Sequence, residues 1–182
     1  LALALQLNTE AIKVSLFAAF IAALYPFTKR ITDAPQLFLG IAFSMGIPMA
    51  YAALIREVPA EAWILFTANF CWIVAYDTQY AMSDRPDDLR AGVRSTAILF
   101  GRFDNLIVGI LQIIFLAILA YLGVRMDLGT PFYLGLVAAA GFLGYQQRLC
   151  FNRDPGKCLR AFFNNNWVGG MIYCGLVIAL MP

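Results

Sequence analysis

Apolar runs at roughly 12–28, 35–55, 61–82, 105–124, 131–149 and 159–181 alternate with short polar connectors along the whole chain. Each is close to the length of about 20 residues with which a helix crosses the hydrocarbon core of a bilayer. The runs are continuous and lack the inside/outside alternation of lipid-facing barrel strands. The pattern therefore predicts an all-α, polytopic transmembrane helix bundle with six complete spans. Residues 1–7, LALALQL, read as the tail of an earlier helix, so the chain is expected to lack an N-terminal portion. The connectors carry helix-breaking and helix-starting residues: Asp33 and Pro35, Pro59, Gly129 and Pro131, then Asp154, Pro155 and Gly156.

Composition agrees with the lipid environment. Of 182 residues 62% are hydrophobic and only 13% charged, with a mean hydropathy of +0.74. A soluble domain needs about 45–50% apolar residues. The bilayer is thus one expected partner, and residues 1–182 read as a single transmembrane domain. Lys29, Arg30, Arg85, Arg90, Arg94, Arg102, Arg148, Arg153, Lys157 and Arg160 fall in one alternating set of connectors, against Lys13, Arg56 and Arg125 in the other. The positive-inside rule puts the richer face in the cytoplasm, or on the matrix side of a mitochondrial inner membrane.

Two further features narrow the chemistry. With no histidine, imidazole bases, His-containing zinc sites and most haem ligation are excluded, and any metal must lean on carboxylates. Cys71, Cys150, Cys158 and Cys174 have no CxxC spacing and read as buried thiols. A net charge of +2 gives no reason to expect nucleic acid as a partner.

The candidate chemistry lies between 77 and 104, where Asp77, Asp84, Asp87, Asp88 and Asp104 concentrate. Asp77 falls inside the third span, where a carboxylate costs about 2.5–3.5 kcal/mol on insertion scales and so should face the bundle interior. At 100° per residue Asp77, Asp84 and Asp88 fall within about 40° of one another, with Tyr80 on the same side. Like charges so placed are relieved by a cation, and an all-oxygen set with open positions suits Mg²⁺. A solvated acidic loop paired with nearby arginines accounts for the same spacing. Pro86 biases Arg85 away from the helical region, so Asp84 and Asp88 are expected on either side of a bend. At the end of the first span, YPFTKR places Tyr25 and Lys29 on one face, followed by Arg30. On the same membrane side as the carboxylates, these cations supply what a diphosphate requires. Asn164, Asn165, Asn166, Gln79, Gln112 and Gln146 suit interhelical hydrogen bonds.

Taken together, YDTQYAM, DRPDD and STAILFG between Tyr76 and Gly101, with YPFTKR and FFNNNWVG, resemble the UbiA-type membrane prenyltransferases over essentially the whole chain. The likeness is strongest to the branch that acts on 4-hydroxybenzoate in ubiquinone biosynthesis. It implies nine helices around a cavity near the cytoplasmic face. The implied reaction is Mg²⁺-dependent transfer of a polyprenyl group from polyprenyl diphosphate to the ring carbon ortho to the phenol. Carried onto this sequence, Asp84 and Asp88 form the metal-holding, catalytic pair, with Asp77 supporting. Tyr25, Lys29 and Arg30 contact the diphosphate or position the acceptor, Arg30 counting among the catalytic groups. The NDxxD motif of the family is absent from this chain, and with it a second metal site, so the chain alone is expected to be inactive. A different acceptor within the superfamily, and a transporter or structural membrane protein, are the competing readings.

Overall fold

The computed structural model describes residues 6–181, except for the side chains of Lys29 and Arg30. The expected helix tail at residues 1–7 falls largely outside them. The described residues contain helices and no strand: α1 (Thr9–Ile31), α2 (Pro35–Ser44), α3 (Gly46–Ile55), α4 (Ala60–Ala91), α5 (Thr96–Phe100), a 3₁₀ turn (Gly101–Phe103), α6 (Asp104–Arg125), α7 (Thr130–Cys150) and α8 (Pro155–Leu180). Three stretches, Thr9–Thr28, Pro35–Ile55 and Thr96–Arg125, are long and apolar enough to cross a membrane by length and composition. Helices α4, α7 and α8 coincide with the other expected spans but carry polar side chains that turn into the bundle.

Helix starts follow local chemistry. Asn8 caps α1 by accepting from the Ala11 N–H, and its amide donates to the Ala52 carbonyl at 2.8 Å, tying α1 to α3. Asp154 caps α8 by accepting from the Lys157 N–H at 2.9 Å. The run at 35–55 is divided at Met45 rather than continuous. Pro48 has no N–H to give the Ser44 carbonyl, and the ladder loses a rung there.

Helix α4 lies at the centre, packed against α2, α6 and α8, and α7 and α8 form the most intimate pair. That pair closes on glycine: a Cβ on Gly135 would stand 2.6 Å from the Met171 carbonyl oxygen, and one on Gly175 2.7 Å from that of Pro131. Backbones this near exclude any side chain, the usual means by which membrane helices gain dispersion contact. The core between α4, α6, α7 and α8 combines Cys71, Phe115, Leu119, Phe132, Leu136, Leu143 and Val168.

Through this core runs a chain of carboxamides. Gln79 Nε2 and Gln112 Nε2 both donate to Gln146 Oε1, at 3.1 and 3.0 Å. Gln146 Nε2 donates to Asn164 Oδ1 at 3.1 Å, and Asn165 Nδ2 to Gln79 Oε1 at 3.0 Å. Trp72 Nε1 donates to Asn165 Oδ1 at 2.9 Å. Four helices are thereby joined, as the sequence suggested for these residues. Cys71, Cys150 and Cys158 are buried as expected, whereas Cys174 is exposed. The outer face of a membrane helix is itself apolar, so an apolar setting in the sequence does not mark a residue as interior.

Candidate functional site

Helix α4 positions the acidic residues, and it runs unbroken through Pro86 to Ala91 before Gly92 ends it at φ 67. Asp84 and Asp88, expected on either side of a bend, lie one turn apart within this one helix. The reason is tertiary. Arg85 Nη1 reaches the Asp104 carboxylate of α6 at 3.2 Å, holding the helix to its neighbour next to the residue that weakens it.

Along the acidic face the three carboxylates spread over about 16 Å, at 1.5 Å per residue. Tyr80 stands among them: its phenol interacts with Asp84 and lies within electrostatic reach of Asp77 and Asp88. Asp84 also accepts from Ser83 Oγ at 3.3 Å. Asp77 is half-buried, and Tyr25 of α1 comes within its electrostatic reach. The structure thus brings Tyr25 to the acidic face. Lys29 and Arg30 lie on the last turns of α1, one turn beyond Tyr25, and their side chains fall outside the described ones. Asp87 forms only a surface pair with Arg90 at 3.5 Å.

An aromatic line leads away from this face. The Tyr80 ring packs on Phe162 at 5.1 Å between centroids, Phe162 on Tyr76 at 5.8 Å, and Tyr76 on Trp72 at 5.8 Å. Tyr76, Trp72 and Phe162 line a groove of about 530 Å³ between α2, α4 and α8, with Phe43, Phe163, Asn69, Asn166, Gly169 and Gly170. A largely aromatic groove that adjoins the acidic face through the Tyr80–Phe162 contact suits an amphiphile with one charged end.

A smaller cavity, about 240 Å³, adjoins the far end of α4 and is lined by Asp88, Arg94, Ser95 and Asp33 among others. Arg94 pairs with Asp33 at 3.3 Å. The Ser95 hydroxyl is buried and has no hydrogen-bond partner among the described residues. Behind it, Thr96 N–H donates to Gln36 Oε1 at 3.0 Å, and the Thr96 and Thr78 hydroxyls meet at 2.8 Å. The Ser95–Thr96 segment is thereby fixed between α2 and α4.

The donor set can be tested against Mg²⁺. Among the described residues no group of three or more His, Cys, Asp or Glu side chains is near enough to enclose a metal ion. Mg²⁺ does not require one, since it binds through one or two carboxylates, waters and substrate phosphates. Asp84 and Asp88, one turn apart, partly exposed and beside a phenol and an orphaned hydroxyl, fit that mode. Asp77 lies too far along the helix to join both.

Sequence reasoning placed Asp104 in the acidic cluster without a role. It is fully buried, and Arg153 Nε approaches both its oxygens at 2.9 Å. Arg153 lies in the connector between α7 and α8 at φ 54, a left-handed conformation. The Asp104 carboxylate beside it holds its guanidinium above the ordinary value. The available signal was an acid at the very start of an apolar run, where a helix N-terminus favours negative charge.

Fold and site together define a polytopic helical membrane protein with an acidic, phenol-bearing mouth over an aromatic groove. The UbiA prenyltransferase family model matches residues 1–168, and the chain belongs to that family. It is 49% identical over 179 residues to 4-hydroxybenzoate octaprenyltransferase of Shewanella frigidimarina, covering 98% of this chain and 63% of that protein. It is 51% identical over 179 residues to the Photobacterium profundum protein of the same name, covering 98% and 62%. The chain therefore spans somewhat over three-fifths of the length of these relatives. Among solved structures, a UbiA homolog from Aeropyrum pernix K1 superposes with a TM-score of 0.80 at 24% identity, over 99% of this chain and 68% of that one. Digeranylgeranylglyceryl phosphate synthase gives 0.77 at 14% identity, over 98% and 64%. These two likenesses concern the fold.

Proposed function

We propose that the protein, at the length of its relatives, transfers a polyprenyl group from polyprenyl diphosphate to the ring carbon ortho to the phenol of 4-hydroxybenzoate, in the ubiquinone pathway. The observation that carries this reading is the acidic face of α4, with Tyr25 and Tyr80, at the head of the aromatic groove. Near-50% identity to proteins named for an octaprenyl transfer to that acceptor supports it. The site lies at the cation-rich, cytoplasmic side of an inner membrane.

Asp84 and Asp88 would hold Mg²⁺, with Asp77 supporting them from deeper in the bundle. The ion, when bound, would supply charge neutralisation for the leaving diphosphate. Lys29 and Arg30, on the last turns of α1, bind the remaining phosphate charge, and Arg30 stabilises it as it develops. Tyr25 orients the acceptor or Asp77. The allylic C–O bond breaks, the electron-rich ring carbon forms the new C–C bond, and the ring proton is lost. Trp72, Tyr76 and Phe162 exclude water and present aromatic faces to the electron-poor allyl group.

The test is prenylation of labelled 4-hydroxybenzoate in membranes containing the protein at its relatives' length, with and without Mg²⁺. Asp84→Ala and Asp88→Ala are expected to abolish turnover while inserting normally. Wild-type activity in either variant refutes the metal assignment. Transfer to another aromatic acceptor but not to 4-hydroxybenzoate refutes the substrate. Comparison with the 182-residue chain shows whether one aspartate motif suffices.

A further inference from the structure

The geometry points to Asp104 as a positioning residue for the acidic face of α4, acting through Arg85; this rests on the reading of Asp84 and Asp88 as the groups that hold the diphosphate end. Pro86 lacks the N–H that would bond the Met82 carbonyl, and a proline inside a helix costs about 3 kcal/mol or more in propensity and clash. The helix nonetheless continues through Asp88 to Ala91. Arg85, the residue immediately before the proline, is the one that leaves the helix surface to grip Asp104. Its direction differs from that of Asp84 by about 100° and from that of Asp88 by about 60°. A fixed Arg85 therefore fixes the rotation of both carboxylates about the helix axis.

Asp104 is suited to be the fixed point. It has no exposed surface. Its Oδ1 accepts from the Asn105 N–H at 2.6 Å, and both oxygens accept from Arg153. Arg153 is itself anchored by Nη2 donating to the Arg102 carbonyl at 2.6 Å. One carboxylate thus joins α4, the start of α6 and the α7–α8 connector. Buried ion pairs of this kind contribute little net stability, because desolvation offsets the attraction, and their return lies in a defined arrangement. Here the arrangement defined is the direction in which the next-door aspartates point.

The experiment uses the protein at its relatives' length in detergent and in membranes. Asp104→Asn is expected to raise the KM for polyprenyl diphosphate and weaken Mn²⁺ binding, read directly by electron paramagnetic resonance, by about 10- to 100-fold. Arg85→Gln is expected to give the same loss, and the double variant no further loss. Arg90→Gln removes an equal charge from the same helix but only a surface pair, and is expected to leave both readouts unchanged. Should Asp104→Asn fail to fold, Arg85→Gln, in which Asp104 keeps Arg153, carries the test. Unaltered KM and Mn²⁺ affinity in Arg85→Gln, with Asp84→Ala inactive and unable to bind Mn²⁺, overturns the proposal and leaves the metal reading standing. Wild-type Mn²⁺ affinity in Asp84→Ala overturns the metal reading itself.

Discussion

Replacing Gly135 by alanine adds one methyl group to a helix interior, a change that ordinarily stabilises a helix by about 1 kcal/mol. Here the methyl carbon would meet the Met171 carbonyl oxygen at 2.6 Å and the Gly175 Cα at 3.2 Å. Both obstacles are backbone, so no side-chain rotation relieves them, and α7 and α8 must separate along their closest contact. Overpacking typically costs about 1–3 kcal/mol, and two unyielding backbone obstacles put this site in the upper half of that range, about 2–3 kcal/mol. Set against the propensity gain, the expected net loss is about 1–2 kcal/mol, which reduces the folded-to-unfolded ratio by roughly 5- to 30-fold. Gly144 lies on the same helix, and a methyl group added there would have nothing within 4 Å. Gly144→Ala is therefore expected to retain or raise stability. Unfolding in mixed micelles, followed by tryptophan fluorescence for both variants and the parent, gives the comparison. If Gly135→Ala is as stable as the parent, or Gly144→Ala is the more damaged, the account of α7–α8 packing is wrong.

Lys29→Ala is expected to raise the KM for polyprenyl diphosphate with little change in the KM for 4-hydroxybenzoate; equal KM values for the diphosphate in variant and parent return Lys29 to a purely topological role. Gln146→Leu leaves the Gln79 and Gln112 amides and the Asn164 carbonyl oxygen without their shared partner. Interhelical hydrogen bonds in membranes average about 0.6 kcal/mol and reach about 1.7 kcal/mol. Loss of three should lower the thermal midpoint measurably, and an unchanged midpoint shows that the network adds no cohesion.

The positions of the helices were legible because hydropathy reports lipid contact, and lipid contact extends over most of each run. Its limits have physical causes. Hydropathy ended the third run near Met82, yet α4 continues to Ala91, since a helix that leaves the apolar layer keeps its backbone bonds while its side chains turn polar. Pro48 stands beside an interruption and Pro86 does not, although local propensity disfavours both. Arg85 grips a buried acid next to Pro86, whereas Pro48 follows directly on the division at Met45. The acidic face was legible from spacing within one helix. The meeting of Tyr25 with Asp77, and of Asp104 with Arg85 and Arg153, brings together residues from distant segments, which periodicity does not encode.

The amides that join α4, α6, α7 and α8 have a consequence for a protein in an energised membrane. A voltage does work of about 2.3 kcal/mol per elementary charge per 100 mV on charge moved across the bilayer, and a proton gradient shifts the occupancy of groups that titrate. Gln79, Gln112, Gln146, Asn164 and Asn165 carry no net charge and do not titrate in any physiological range. The cohesion they supply is therefore the same whether or not a voltage or a proton gradient stands across the membrane. The scaffold around the acidic face of α4 thus holds before any gradient is established as well as after.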